Sequence, residues 1–274
     1  MNDHYEINWK IKEPPMPPPP EILFKYRDLS NELHLQTLNE STIFLPSATR
    51  FNDPFDCKIP LEYLKLEHDE ELRRNFARKL IMMHGDEKAK NEIEDHVETF
   101  MAKKHMTNRE ELLRLEERDI KRLSEYGIYS VSAIPNNLLL WSHYANSHTG
   151  ICLGFNTKKL FDNCSFSSLG PVTYFDKYPN MSLLRDNEDL YYNQIYNKSI
   201  DWHYELEFRY VKIKGADTKA KFTPDIIEEI YIGCMASFES ISLIEQLRKY
   251  KFQNAKLYKC KKSRDGYFLE KEEI

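Results

Sequence analysis

The segment WHYELEFRY, residues 202–210, alternates apolar or aromatic side chains with polar ones at a period of two residues. A β-strand directs successive side chains to opposite faces, so this period predicts one strand through the whole segment. The aromatic face would pack against a core. On the other face, Glu205 and Glu207 would lie about 7 Å apart, flanked by His203 and Arg209.

Two carboxylates on one strand face have a functional and a structural interpretation. Paired carboxylates serve reactions that pass through oxocarbenium-like states, because one can stabilise positive charge while the other orients the nucleophile. Glu–Arg pairs are also common on the solvent-facing surfaces of sheets. The residues alone leave both interpretations open.

Composition narrows the class of protein. The chain has 274 residues, of which 41% are hydrophobic and 30% charged, and its net charge is -5. This balance is typical of a soluble protein of one or two domains and argues against a broadly basic nucleic-acid binder. No apolar run approaches the ~20 residues that span a bilayer, so no membrane partner is expected. Five scattered cysteines without CxxC spacing predict reduced thiols, a cytoplasmic location and no cysteine-based zinc site.

The order of elements predicts one α+β domain over residues 21–274, with a split mixed and antiparallel sheet. Residues 1–20 are proline-rich and predict a stiff N-terminal arm, because proline fixes φ and lacks an N–H. Residues 61–125 carry apolar side chains at helical spacing and predict a helical insertion. The predicted strands are 22–27, 41–46, 128–133, 150–155, 172–175, 202–210, 225–233 and 256–260; the other predicted helices are 29–38, 138–145, about 182–197 and 238–250.

Two predicted strands carry further candidate binding groups. Arg27 ends the first strand, where a guanidinium suits bidentate recognition of a phosphate or pyrophosphate, although a surface ion pair is the alternative. In the strand Tyr129-Ser130-Val131-Ser132, both hydroxyls lie on one face. They could bind a ribose, position a carboxylate, or satisfy a neighbouring backbone.

The block from Trp141 to Gly150 is dense in polar and aromatic groups. Its histidines, His143 and His148, are five residues apart and so do not share a helical face. This spacing argues against the i, i+4 histidine pair of metalloprotease helices, and no metal site is predicted.

The motifs FKYR, FNDPFD, SVSAIPNNLLLWSHYANSHTGICLGF and DWHYELEFRYVKI occur in order between Leu23 and Lys261. Together they resemble a bacterial family known as a domain of unknown function. Their order also resembles the arginine–serine–glutamate class of ADP-ribosyltransferases, in which a first-strand arginine contacts NAD, a later strand carries Ser-x-Ser and a late strand carries Glu-x-Glu. Here the middle motif is Ser-Val-Ser where that class usually has Ser-Thr-Ser, and the helical insertion lengthens the spacing.

The second resemblance implies an ADP-ribosyltransferase-like fold with NAD as co-substrate and no metal. By similarity, Glu207 would bind the nicotinamide ribose and stabilise the oxocarbenium ion, and Glu205 would orient the acceptor. Arg27 would bind the pyrophosphate. The remaining NAD contacts implied are Ser130 or Ser132 beside the nicotinamide, Tyr129 or Trp141 stacked on it, and His143.

The function expected from this resemblance is transfer of ADP-ribose to a macromolecular acceptor, protein or nucleic acid, by a bacterial toxin or phage-defence effector with a possible neutralising partner protein. Two alternatives remain open. A metal-dependent nucleic-acid-processing enzyme would gather Asp53, Asp56, Glu205, Glu207 and histidines around a divalent ion. A non-enzymatic module would use the aromatic and histidine-rich block to bind a peptide or nucleotide.

Overall fold

The computed structural model describes residues 18–274, apart from the side chains of Asn187 and Glu188. The N-terminal arm predicted for residues 1–20 lies outside the described residues except for its last three positions. The strands are β1 Ile22–Arg27, β2 Thr42–Leu45, β3 Gly127–Ser132, β4 Ile151–Asn156, β5 Ser168–Pro171, β6 Thr173–Phe175, β7 Asn197–Ser199, β8 Glu207–Lys212, β9 Thr218–Lys221, β10 Ile227–Ile232, β11 Lys256–Lys262 and β12 Leu269–Glu273. The α-helices are α1 Glu32–Glu40, α2 Glu70–His84, α3 Glu87–Asn91, α4 Ile93–Ala102, α5 Arg109–Arg122, α6 Leu138–Tyr144, α7 Thr157–Cys164, α8 Asn187–Tyr196 and α9 Phe238–Tyr250.

Eight strands form one large sheet in the order β12-β11-β10-β4-β1-β3-β8-β5. Neighbouring strands run antiparallel except β10 and β11, which are parallel, so the sheet is mixed. Two small sheets accompany it, antiparallel β2–β9 and parallel β6–β7. The fold is α+β, as the sequence predicts.

The large sheet separates between β1 and β3. Strand β1 pairs with β4 along its full length, whereas it meets β3 at the single pair Phe24 and Ser132. Strand β3 pairs with β8 along its full length. From the Phe24–Ser132 pair the two central strands therefore diverge, which creates a wedge within the sheet.

Each face of the sheet has its own apolar cluster because side chains alternate along each strand. On one face, residues such as Leu23, Leu153 and Ile230 pack against helices α1, α7 and α9. On the other, Phe24 and Tyr26 pack with α6. The central strands are thus covered on both sides.

The segment 61–125 is helical and carries its own cluster. Helices α2 to α5 follow a 3₁₀ helix at Glu62–Glu67, and residues from this segment pack with Met181, Leu183 and Leu190. The charged faces of α2 and α4 meet in ion pairs such as Arg78–Glu94. Across the described part of the chain, no helix is long and apolar enough to cross a membrane.

Residues 202–210 do not form one strand, so that prediction is wrong. A 3₁₀ helix spans Ile200–Glu205, Leu206 adopts the left-handed conformation with φ 44°, and β8 begins at Glu207. Ser199 accepts a hydrogen bond from the N–H of Asp201 and so starts the helix. Such local side-chain bonds compete with strand pairing, although the alternating sequence still fits a period of two.

We expect the left-handed turn at Leu206 to limit stability. A non-glycine residue in this conformation costs about 1–2 kcal/mol, and the Leu206 residue is 46% exposed, so little packing would be lost with it. Leu206→Gly should raise the free energy of unfolding by up to about 1 kcal/mol, as measured by urea denaturation followed by circular dichroism. Leu206→Val is the matched control and should lower it, since a β-branched residue tolerates positive φ poorly. Equal losses in both variants would contradict this role of the turn.

Candidate functional site

A cleft of about 320 Å³ opens in the wedge between β1 and β3. Arg27, Ser130, Ser132 and Glu207 all line it, so four of the residues singled out in the sequence converge on one cavity. Beside it lies a second cavity of about 310 Å³, which shares Lys25, Tyr26, Arg27, His34 and Tyr144 with the first. Cavities of this size are typical of small-molecule sites.

Arg209 on β8 is the centre of a buried ion network. Arg209 is 0% exposed, and its guanidinium bonds both oxygens of Glu207 at 2.8 and 3.1 Å. It also bonds both oxygens of Asp56, at 2.8 and 2.7 Å, and donates to the Ile195 carbonyl at 2.6 Å. Bidentate geometry on two carboxylates satisfies a guanidinium that has lost all contact with water.

Lys198 on β7 joins Glu205 to the same network. Its ammonium lies 2.6 Å from Glu205, 3.1 Å from Glu207 and 3.6 Å from Asp56, with its side chain 7% exposed. The Tyr144 hydroxyl donates to the other Glu205 oxygen at 2.9 Å. Three carboxylates therefore share two buried cations.

The backbone around Glu205 is held by hydrogen bonds that fix where its carboxylate points. The Ser132 hydroxyl donates to the Glu205 carbonyl at 2.7 Å, and Asn137 donates to the Tyr204 carbonyl at 2.6 Å. The Glu207 N–H donates to the Tyr174 hydroxyl at 2.9 Å. Because of the left-handed turn at Leu206, both glutamates face the cleft. The sequence predicts the same shared face, but from an uninterrupted strand.

This environment drives the two glutamate pKa values apart. Burial would raise the pKa of Glu207, but Arg209 and Lys198 outweigh it and hold that pKa well below its usual range. For Glu205, burial and the neighbouring Glu207 raise the pKa in spite of Lys198. Glu207 is thus a permanent anion, while Glu205 is the better proton acceptor of the pair.

The cleft also has a cationic wall, formed by Lys25 and Arg27 on β1. The Lys25 ammonium bonds the Ser130 carbonyl at 2.5 Å across the gap, and the Arg27 guanidinium bonds the Tyr129 hydroxyl at 3.2 Å. Both cations lie over the Tyr129 ring, 5.2 and 5.5 Å from its centroid. The buried Arg27 Nε has no hydrogen-bond partner among the described residues.

Burial and the adjacent charge of Arg27 lower the pKa of Lys25 to about 7, although Glu207 and Glu205 act in the opposite direction. His34 also lines the cleft, and burial together with Arg27 and Lys25 lowers its pKa to about 4. The cationic wall is therefore only partly charged at neutral pH.

Two of the residues expected to contact NAD lie elsewhere. Trp141 is fully buried in the core, where its indole donates to the Pro135 carbonyl at 2.9 Å and its ring packs edge-on against Tyr26. It does not line either cavity. His143 lines the adjoining cavity, beside Tyr144, and not the main cleft. Tyr129 lines the cleft, but as the ring beneath the two cations.

The carboxylates expected to gather a metal do meet in part. Asp56, Glu205 and Glu207 come together, but around Lys198 and Arg209, and Asp53 instead accepts the Phe55 N–H within its turn. Over residues 18–274, no group of three or more His, Cys, Asp or Glu side chains is arranged to hold a metal ion.

Sequence reasoning missed three side chains that complete the site. Lys25 could have been found, because it is two residues before Arg27 and so shares its strand face. Lys198 lies in the polar segment YNKSID, which carries no pattern that indicates burial. Tyr144 lies within the aromatic block, but its contact with Glu205 depends on how α6 packs.

Residues 140–210 match one family model, described as Protein of unknown function (DUF2971). The match supports the resemblance to a domain-of-unknown-function family. It covers Lys198, Glu205, Glu207 and Arg209, but neither Arg27 nor Asp56. No curated protein and no solved structure matched the chain. The resemblance to ADP-ribosyltransferases therefore stays a prediction.

We expect the Arg209 network to be essential for stability. Asp56→Ala would leave a buried guanidinium without half of its carboxylate partners, and breaking a buried ion pair in this way costs about 3–5 kcal/mol. Asp162→Ala is the control, since it removes an exposed partner of Lys158 and should cost less than about 1 kcal/mol. Urea denaturation of both variants checks this. Similar small losses would show that the network does not hold the fold together.

We also expect Lys25 to make stability depend on pH. Its pKa falls from 10.5 unfolded to about 7 folded, so the unfolded state binds more protons between these values. The destabilising contribution of Lys25 is therefore complete below pH 7 and is relieved as pH rises toward 10.5. Over this range, the free energy of unfolding should rise by up to about 1 kcal/mol per pH unit in wild type relative to Lys25→Met. Parallel pH profiles would contradict the shift.

Proposed function

We propose that the cleft binds NAD and transfers its ADP-ribose to a macromolecular acceptor, protein or nucleic acid. The single observation that carries this proposal is that Arg27 lies on one wall of the cleft and the Glu205–Glu207 pair on another, with Ser130 and Ser132 lining it too. These groups follow the order of the arginine–serine–glutamate class along the chain. The toxin or phage-defence setting and a neutralising partner protein rest on the resemblance alone.

The two walls suit two different groups of NAD, the pyrophosphate and the nicotinamide ribose. A cationic wall favours the pyrophosphate of NAD, and Arg27 has an unpartnered Nε to offer it. A permanently ionised Glu207 favours positive charge on the ribose. Each carboxylate therefore has an electrostatic role that matches its own pKa shift.

In the proposed reaction, the bond between C1′ of the ribose and the nicotinamide nitrogen breaks, and nicotinamide leaves with the bonding electron pair. Glu207 stabilises the oxocarbenium ion that remains. A lone pair of the acceptor then forms the new bond to C1′, and the acceptor's proton passes to Glu205, whose raised pKa suits a general base. Tyr144 holds Glu205 in position for this step.

The two alternative functions find less support in the geometry. A divalent ion needs carboxylate oxygens as direct ligands, and those of Asp56, Glu205 and Glu207 are already bonded to Lys198 and Arg209, whereas an oxocarbenium ion needs only negative charge nearby. An exposed, unpaired carboxylate row would favour a non-enzymatic module. Both glutamates are instead buried and paired.

The test is incubation with labelled NAD and cell extract, followed by measurement of macromolecular label and of released nicotinamide. Glu207→Gln should lower both by about a hundredfold or more, because the oxocarbenium ion loses its counter-charge. Glu205→Gln should lower the label by a similar factor but leave slow nicotinamide release, since water can replace the acceptor.

Glu229→Gln is the matched control, a half-buried glutamate on β10 whose partner is the Tyr231 hydroxyl at 2.8 Å. It should behave as wild type. Wild-type protein that neither releases nicotinamide nor transfers label would overturn the proposal, as would full transfer by Glu207→Gln.

A further inference from the structure

Lys25 is a half-buried cation in the cationic wall, and the proposed reaction gives it no role of its own beside Arg27. It lies on the same face of β1 as Arg27, two residues away, which places their backbone positions about 7 Å apart. Both cations face the cleft above the ring of Tyr129. Among the described residues, neither forms an ion pair with a carboxylate, although Arg27 is buried and Lys25 is half-buried.

Cations that are wholly or partly removed from water without an anionic partner lose hydration that nothing replaces, so they favour a ligand that supplies the anion. Two adjacent cations match the paired charges of a diphosphate better than the single charged group of a monophosphate. The carboxylates of Glu205 and Glu207, which also line the cleft, would repel such an anion and so direct it toward Lys25 and Arg27. Aromatic residues Phe44 and Phe51 also line the cleft, and they leave an apolar surface for an organic group attached to the anion.

We propose that Lys25 joins Arg27 in a two-cation site for a diphosphate group, and that a bound diphosphate draws a proton onto Lys25. That the diphosphate belongs to a dinucleotide rests on the proposed function. The two-cation site itself needs only the cleft. The Lys25 ammonium donates a hydrogen bond to the backbone carbonyl of Ser130.

The proton uptake follows from the charges that face Lys25. Burial, Arg27 and Lys198 lower its pKa to about 7, and Glu207 and Glu205 raise it. His34 and Cys152 also lie within electrostatic range. At about pH 8 the amine is mostly neutral, and a diphosphate beside it would favour the ammonium form, so binding takes up a proton.

The experiment is isothermal titration calorimetry of the full chain with ADP, inorganic pyrophosphate and AMP at about pH 8, in two buffers of different ionisation enthalpy. Wild type should bind both diphosphates more tightly than AMP, and its binding of ADP, whose diphosphate is mostly fully ionised at this pH, should take up a proton. Lys25→Met should bind them about tenfold more weakly or worse. Lys251→Met is the matched control, a half-buried lysine that also donates to backbone carbonyls, and it should bind as wild type does.

Lys25→Arg provides a second measurement, with His34 left unchanged. Because arginine stays charged at this pH, the variant should bind the ligand without the proton uptake of wild type. Circular dichroism checks that each variant folds. Tighter binding of ADP than of pyrophosphate supports a nucleotide source, and equal binding supports free pyrophosphate; either supports the site. Wild-type affinity in Lys25→Met, the same uptake in Lys25→Arg, or no diphosphate binding by wild type would overturn it. Since none of these ligands carries nicotinamide, diphosphate binding without ADP-ribose transfer would sink the proposed function alone.

Discussion

The buried guanidinium of Arg209 is the group on which the arrangement of the site depends. A guanidinium with no exposure to water is costly unless its donors are satisfied, and here they reach three separate segments of the chain. Asp56 lies just before the helical insertion, Ile195 near the end of α8, and Glu207 at the start of β8. One side chain thereby fixes the insertion, the helix that packs on it and the carboxylates of the cleft relative to one another.

The same network sets the chemistry of the cleft. Two cations serve three carboxylates, so one negative charge remains uncompensated within the network. Glu207 receives most of the stabilisation because it contacts both cations, while Glu205 contacts Lys198 alone. Their pKa values move in opposite directions for this reason, and two adjacent glutamates acquire different abilities to hold a proton.

The sequence predicted the regular elements better than the irregular ones. Strand β1 and helix α9 have the bounds predicted from apolar spacing and flanking residues. The prediction of one strand at 202–210 was wrong because the left-handed turn is occupied by Leu206. Glycine or asparagine would have indicated such a turn, whereas leucine does not. The convergence of Glu205 and Glu207 was therefore anticipated from a pattern that does not cause it. Trp141 was predicted to contact NAD because it lies in an aromatic block, but aromatic residues are equally typical of a hydrophobic core.

The separation of β1 from β3 creates the cleft and also leaves backbone hydrogen-bonding groups along it without partners in the sheet. Beyond the Phe24–Ser132 pair, backbone groups of the two strands lose their ladder partners, and the Lys25 ammonium takes the place of one missing N–H donor at the Ser130 carbonyl. A ligand that recruits Lys25 must either leave that bond intact or replace it. An anion that approaches from the Arg27 side can share the ammonium, which has three donors, without taking it from the carbonyl. A neutral Lys25 has only two hydrogens to divide between the carbonyl and the ligand. A protonated Lys25 can therefore bond the Ser130 carbonyl across the strand gap and the ligand at the same time. The charge of Lys25 thus depends on the opening between β1 and β3.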